Sequence, residues 1–446
     1  MTTANSDTIR DFTIEPNDRI VCKILDPLIS SIQVNHNGHK WATLPVIWGK
    51  FSCQLPAKTV QDETTESIDF INANTNQQIG HFEWTSRPPL KNIHGLTAAQ
   101  ILQQNHIPFT VVPWARFDGI TLTLGGYQLP PGGDPSRIKV KANPGVVYNF
   151  LYPVESQMGE QLWYWPNSHL SGFQLEINLA ASESNSDPFN ISFIDTESDE
   201  KPIRIYFPTE MSDFVGLPRD INQMERVQNN DICMATLTGY QAFKIIEKTL
   251  SEYHIVNRPG VAILDWGSGY GRVSRHFIKY WPQSEIWGAD VDADNITWAQ
   301  KNLSKGHFVT LPLLPPSSIP DQKFDVIFGI SVMTHLTADA QAAWITELAR
   351  CLNPNGLALI TFAGQTAVTY SSKWFTPEWW TRWLQTGFND STSDPALGTH
   401  IADNSYYRQT FQSEKDVCAR WSEQFDVLKV IPAYIGNLDV AILLKK

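Results

Sequence analysis

Cysteine is scarce in this 446-residue chain: five residues, at positions 22, 53, 233, 351 and 418, scattered and odd in number. That pattern excludes a disulfide framework and a thiol-based zinc site, no metal is expected, and a reducing cytoplasm is the natural setting. Long apolar runs are missing too. None approaches the roughly 18 residues of a membrane span, and Met1 to Phe12 is polar, without the apolar core of a signal peptide. Positive charge is thin. Lys and Arg number 34 against 46 Asp and Glu, for a net charge of -12, with no basic run. A nucleic acid backbone is therefore a poor partner. Two nucleotide motifs are also absent: the phosphate loop G-x-x-x-x-G-K-[ST] and the dinucleotide fingerprint G-x-G-x-x-G.

What the chain does have is tryptophan, 16 residues of it, and length for two or three domains. Residues 1–220 hold short strand-like pieces separated by polar turns: Arg19 to Leu25, Ser31 to Val34, Ile68 to Ile71, His81 to Trp84, Ile120 to Leu124, Ile138 to Ala142, Phe173 to Leu179 and Asn190 to Ile194. Such spacing suggests β-sandwich-like modules, placed at 1–90 and 112–215. A helix over Thr97 to Asn105 would join them. Ser67 to Asn72 and Asn190 to Asp195 are similar enough to suggest an internal repeat. Trp163, Tyr164, Trp165, Asn167 and His169 make a cluster of the kind that binds carbohydrate, or an ordinary sandwich edge.

From about residue 225 the pattern changes to strands alternating with helices, which implies a parallel, doubly wound α/β sheet. The run Val261 to Arg272 is the most informative. An apolar strand ends at Asp265, passes Gly267, Ser268, Gly269 and Gly271, and turns into a helix at Val273 to Tyr280. Glycine permits positive φ and close approach of backbone to a ligand, and the helix start offers unbonded N–H groups. A second strand, Glu285 to Asp290, again ends in an acid, where such folds hold ribose hydroxyls. Asp292 and Asp294 then open a helix, Asp294 being read as its cap. A third strand is expected at His307 to Leu311. A fourth, Phe324 to Ile330, runs into Ser331-Val332-Met333-Thr334-His335-Leu336, and Thr337 can cap the next helix. Asn353 to Gly356 reads as a stop before a fifth strand, Leu357 to Phe362. Phe425 to Ile431 and Leu438 to Leu444 can pair antiparallel across Pro432 to Asn437.

The run D-x-G-x-G-x-G-R, the acid at Asp290 and the closing hairpin resemble class I S-adenosylmethionine-dependent methyltransferases over residues 225–446. The motifs at 264–267, 331–336 and 352–356 look like those of bacterial enzymes acting on small molecules or saccharides. The resemblance implies a Rossmann-like seven-stranded domain, S-adenosyl-L-methionine as cofactor and a small-molecule or glycan acceptor. It places Asp265 and the backbone at Gly267 and Gly269 on the methionine part, Asp290 on the ribose hydroxyls and Ser331 near the sulfonium and the substrate, with Ser268, Gly271 and Val291 also binding the cofactor. Many members carry an acid after the third strand for the adenine amino group; Thr310-Leu311-Pro312-Leu313 has none. Gly239-Tyr240, in an expected helix over Met234 to Leu250, could reach the cofactor or belong to the core.

Methyl transfer to a hydroxyl needs a positioned base. His335, just after the fourth strand, is the candidate, and a loop-ordering role is its alternative. With no Cys in that loop, and without an Asn-Pro-Pro-aromatic signature, an oxygen acceptor is favoured. The long insert from Ala363 to about Ser422 suits a lid or binding loop. Tyr370, Trp374 and His400 are its candidate substrate contacts, with Asp403 beside them, while Trp379, Trp380 and Trp383 read as the buried face of a helix after Pro377. A scaffold that keeps the cofactor fold without catalysis, and a protein or peptide acceptor, are the alternative functions.

Overall fold

The computed structural model describes residues 9–14, 19–26, 28–36, 39–46, 50–54, 64–86, 110–156, 167–182, 189–197, 203–208, 232–371, 375, 377–394 and 406–446. The expected helix at 97–105, the cluster at 163–165, and Trp374, His400 and Asp403 lie outside the described residues.

The N-terminal part begins with β1 (Ile9–Ile14), β2 (Arg19–Ile24), β3 (Ser31–His36), β4 (His39–Pro45), β5 (Lys50–Gln54), β6 (Thr64–Asn72) and β7 (Gln78–Ser86). They make two antiparallel sheets, ordered β1-β2-β5 and β4-β3-β6-β7. Alternation decides their faces: Ile32, Val34, Ile68 and Phe70 are fully buried, on one side of the second sheet. Next come β8 (Thr110–Phe117), β9 (Thr121–Gln128), β10 (Ile138–Ala142), β11 (Val147–Val154), β12 (Gly172–Asn178), β13 (Phe189–Asp195) and β14 (Ile203–Phe207). Sheets β11-β12-β9-β8 and β10-β13-β14 share one core, in which Phe173 and Phe193 meet at 5.0 Å between ring centroids. The two segments that suggest a repeat both lie on inner antiparallel strands, β6 and β13. Asn167 is buried, at 1% exposure, and its amide donates to the Gly133 carbonyl at 2.8 Å. It is structural, not part of an exposed sugar-binding face.

Helix α1 (Ile232–Glu252) belongs to two cores. Met234 and Leu237, in its first turns, complete the core under β8–β14. Tyr240, Phe243, Ile246 and Leu250, further on, pack under the C-terminal sheet. A helix this long, about 30 Å at 1.5 Å per residue, spans both.

The C-terminal part follows as β15 (Ala262–Trp266), α2 (Ser274–Tyr280), β16 (Glu285–Asp290), α3 (Ala293–Asn302), β17 (His307–Thr310), β18 (Phe324–Gly329), α4 (Ala338–Cys351), β19 (Leu352–Phe362), α5 (Gln365–Ser371), α6 (Pro377–Thr386), β20 (Phe388–Ser393), β21 (Arg408–Gln412), α7 (Glu414–Trp421), β22 (Phe425–Ile435) and β23 (Leu438–Lys445). Seven strands form one sheet in the order β17-β16-β15-β18-β19-β23-β22. β15 to β19 pair parallel, and β23 runs antiparallel between β19 and β22. Both faces are covered, so the strands are continuously apolar: all five residues of β15 are buried. One face carries α4 and α7 with Trp266, Trp344 and Trp421; the other carries α1 and α2.

Three sequence expectations shift. Asp292, not Asp294, caps α3, its carboxylate accepting from the N–H groups of Asp294 and Asn295. The stop at Asn353 to Gly356 lies within β19, where the left-handed Asn355 (φ 62°) bends the strand after Leu352 has paired with Phe324. The closing hairpin turns on Gly436-Asn437 alone, with a bulge between Ile431 and Ile435 absorbing the rest. No helix among the described residues is long and apolar enough to cross a membrane.

Since Leu237 is 2% exposed in the shared region, Leu237→Ala is expected to cost about 2–5 kcal/mol of stability, read as a fall in the urea midpoint. A midpoint unchanged from the native chain would contradict the shared core.

Candidate active site

In a parallel sheet every strand points the same way, so β15, β16, β18 and β19 all end at one edge. At that edge Gly267, Gly269 and Gly271 have φ of 77°, 54° and 79°. A side chain at Gly267 would run into Val332, and one at Gly271 into Leu303. The Gly267 and Ser268 N–H groups both donate to the Ala289 carbonyl, at 2.8 and 3.1 Å, which ties the turn to β16. Ser268 is itself 4% exposed.

The two acids differ in what they do. Asp265 is buried, and its Oδ2 accepts from the Ser274 hydroxyl at 2.6 Å and the Ser274 N–H at 3.2 Å. It therefore locks the end of β15 to the start of α2. Burial pushes its carboxyl up to about 7, while the Ser274 hydroxyl and Arg272 pull the other way. Asp290 is partly open. One oxygen accepts from the Gly269 N–H at 2.7 Å and the other from the Asp292 N–H at 2.8 Å. Burial raises it to about 6, against the pull of these N–H groups. A carboxylate has about four lone-pair sites, so Asp290 can still accept from a diol. Val291 follows it, half-buried against the core. Contrary to the picture of bare backbone facing a ligand, the Gly269 N–H is taken by Asp290.

Tyr240 is fully buried, edge-on to His276 at 5.3 Å. It is core, while its neighbour Gly239 lets α1 approach the Arg272 backbone. After β17, where the resemblance leads one to expect an acid, Thr310 closes the strand and Leu311 is buried.

Ser331 leaves β18 with φ 60°, a left-handed conformation that a non-glycine residue holds only when its surroundings insist. Its N–H donates to Thr361 Oγ1 at 2.8 Å, and its carbonyl accepts from Thr334 Oγ1 at 2.7 Å. Beside it lies a cavity of about 570 Å³. The end of β18 contributes Ser331, Thr334 and His335; β19 and α5 contribute Ala363, Ala367 and Ser371; the insert contributes Phe375, Gln409, Thr410 and Phe411; and the hairpin turn contributes Asn437 and Leu438. Tyr370 lies on α5 but is not part of this lining, which takes Ser371 instead. Trp379 and Trp383 are 5% and 6% exposed, with Phe375 stacked on Trp379 at 3.6 Å. They are the insert's own core, and among its described aromatic residues Phe375 and Phe411 line the cavity.

His335 is fixed on two sides. Its Nδ1 lies 3.3 Å from the Arg408 carbonyl and 3.6 Å from Asp394 Oδ2, and its ring stacks on Tyr407 at 4.2 Å and 7°. A carbonyl only accepts, so Nδ1 carries the proton and Nε2 is left basic. Sequence reasoning offers Tyr407 and Phe411 only as insert aromatics able to stack on an acceptor, and it missed Asp394, Arg408, Gln409 and Thr410 because they sit some 60–75 positions from His335. It missed Asp439 as well. This buried carboxylate on β23 accepts from the Ala433 N–H at 3.0 Å and fits against Gly364, which has no side chain to obstruct it. It thereby braces the hairpin turn against the start of α5.

Residues 263–356 match the family described as "Methyltransferase domain". A ubiquinone/menaquinone biosynthesis C-methyltransferase from Bordetella avium is 32% identical over 111 residues, covering 23% of this chain and 41% of that protein. Its counterpart from Burkholderia cenocepacia is 28% identical over 139 residues, covering 29% and 52%. The chain thus spans about half or less of the length of these curated relatives. Among solved structures, magnesium protoporphyrin IX methyltransferase from Synechocystis, with bound S-adenosylhomocysteine, is similar at 16% identity and TM-score 0.34, over 49% of this chain and 89% of that one.

The raised carboxyl of Asp265 sets a pH dependence. Its folded value, about 7, lies above the ordinary 3.8, so the folded chain holds this proton more tightly than the unfolded one. Its contribution to stability is present at low pH and is lost as pH rises through about 7. Asp265→Asn keeps an acceptor for Ser274 without the charge. Its thermal midpoint relative to the native chain is expected to rise between pH 5 and pH 8; an unchanged difference would show that Asp265 is not buried as described.

Proposed function

We propose that this chain, whose C-terminal half is a class I S-adenosylmethionine-dependent methyltransferase domain, methylates an uncharged, hydroxyl-bearing small molecule, a saccharide or a phenol, at oxygen. The observation that carries the reading is the cavity of about 570 Å³ between Ser331 and the insert, bordered by His335. The residues present fit the cofactor. Asp290 is a partly open carboxylate that would hold the ribose hydroxyls, the turn at Gly267 to Gly271 would hold the methionine part, and Ser331 would border the acceptor. When bound, S-adenosylmethionine supplies a methyl carbon on a sulfonium, the acceptor oxygen taking the methyl while sulfur keeps the bonding electrons.

The chain's own residues do the rest. His335 Nε2 takes the proton from the acceptor hydroxyl. Ser331, Thr334, Gln409 and Asn437 offer hydrogen bonds to further hydroxyls or ring oxygens, and Phe375 and Phe411 offer an apolar wall. Among the described residues, the side chains lining the cavity are neutral apart from His335, which supports an uncharged acceptor. The aromatic wall also supports a second reading, transfer to ring carbon of a phenol, where His335 would deprotonate the same hydroxyl. The β-sandwich-like modules at 1–90 and 112–215 then serve to hold or orient the acceptor beside a domain at 225–446.

Calorimetric titration with S-adenosylmethionine tests the cofactor site. Asp290→Ala is expected to weaken binding at least about tenfold, the loss of roughly 1.4 kcal/mol of charge-assisted hydrogen bonding. Native-like affinity in that variant would remove Asp290 from the site. With neutral sugars and phenols as acceptors, and S-adenosylhomocysteine release as readout, His335→Gln is expected to keep cofactor affinity and lose about 10²–10⁴-fold in kcat. Full turnover in His335→Gln would reduce His335 to an ordering role.

A further inference from the structure

We infer that Asp394 is a positioning residue for His335, carried into the site by the β20–β21 hairpin of the insert. The inference rests on the reading of His335 as the base and deepens it. Asp394 directly follows β20, and Tyr407 directly precedes β21. The Asp394 N–H donates to the Tyr407 carbonyl at 3.1 Å, so the two residues are clamped together at the end of the hairpin where the chain leaves β20 and enters β21. That end is docked on the loop after β18. Tyr407 bridges to Leu336, and Thr410 Oγ1 donates to the Leu336 carbonyl at 2.8 Å. The hairpin can therefore present three groups to one imidazole in fixed register: the Asp394 carboxylate and the Arg408 carbonyl to Nδ1, and the Tyr407 ring to its face.

The division of labour follows from chemistry. The Arg408 carbonyl is neutral and selects the Nδ1–H form. It does little to favour the cation that exists once Nε2 has taken the acceptor's proton. A carboxylate 3.6 Å away does favour that cation. Asp394 is itself only 16% exposed, so water screens the pair incompletely. Among the described residues beside the pair, the Arg408 guanidinium donates to Ser393 Oγ at 3.1 Å, and the Tyr407 hydroxyl stays neutral, raised by burial and then by Asp394 and Asp290. As the acceptor loses its proton, the His335–Asp394 pair goes from one negative charge to a neutral ion pair.

The experiment needs no acceptor. The full chain labelled with ¹⁵N-histidine gives long-range ¹H–¹⁵N spectra, in which the ring signals missing from His335→Gln identify His335. In the native chain His335 is expected as the Nδ1–H form. In Asp394→Asn, which keeps the backbone clamp and similar size, the same form is expected, but the pH of half-protonation falls by about one unit, the scale of one nearby opposite charge. Asp394→Glu should restore part of it. A midpoint unmoved in Asp394→Asn overturns the role of Asp394, whether or not His335 is the base. Loss of turnover in His335→Gln, measured separately, tests the base and leaves the spectra unaffected.

Discussion

The bond pair from Ser274 to the Asp265 carboxylate is the constraint on which the site depends. It joins the end of a strand to the first residue of a helix through a buried acid, so the seven residues between Trp266 and Ser274 have a fixed span to cover. Gly267 and Gly271 let them cover it with positive φ, and there is no room for a side chain at either position. The Ala289 carbonyl then ties the same turn to the neighbouring strand, which sets Asp290 beside Gly269. Buried polar groups must be satisfied, and here the satisfied groups are the ones that build the turn.

The rest of the site is an argument about edges. A parallel sheet gathers the ends of distant segments on one side, and this chain uses two additions there. The hairpin turn at Gly436-Asn437 closes one flank, braced by Asp439. The insert closes the other. Trp379 and Trp383 are spent on its internal packing, and it holds a histidine from outside with Asp394, Tyr407 and Arg408 in register. Helix α1 meanwhile ties the α/β part to the preceding sheets, because its first turns fill their core and its later turns fill the next.

Much of this was legible in the residues. Strand, acid, glycines and helix at 261–280, the acid ending the second strand, and the antiparallel close of the sheet are local patterns. Each is read within about a dozen residues, where period and turn chemistry decide structure. Local ambiguity remained where two residue types compete for one role, as with Asp292 and Asp294 at the cap of α3. Tyr240 was undecidable locally, since an aromatic residue in a helix looks the same whether it meets a ligand or His276.

By itself the sequence determined the kind of sheet, its antiparallel close and the strand, acid and glycine turn at 261–272, because those depend on spacing between near neighbours. Only the tertiary structure decided what lines the cavity beside Ser331. Asp394 and His335 are 59 positions apart and meet because β21 docks on the loop after β18. Asn437 joins the same cavity because β23 pairs antiparallel with β19. Such contacts arise from the packing of whole elements, and no short stretch of residues carries a signal for them.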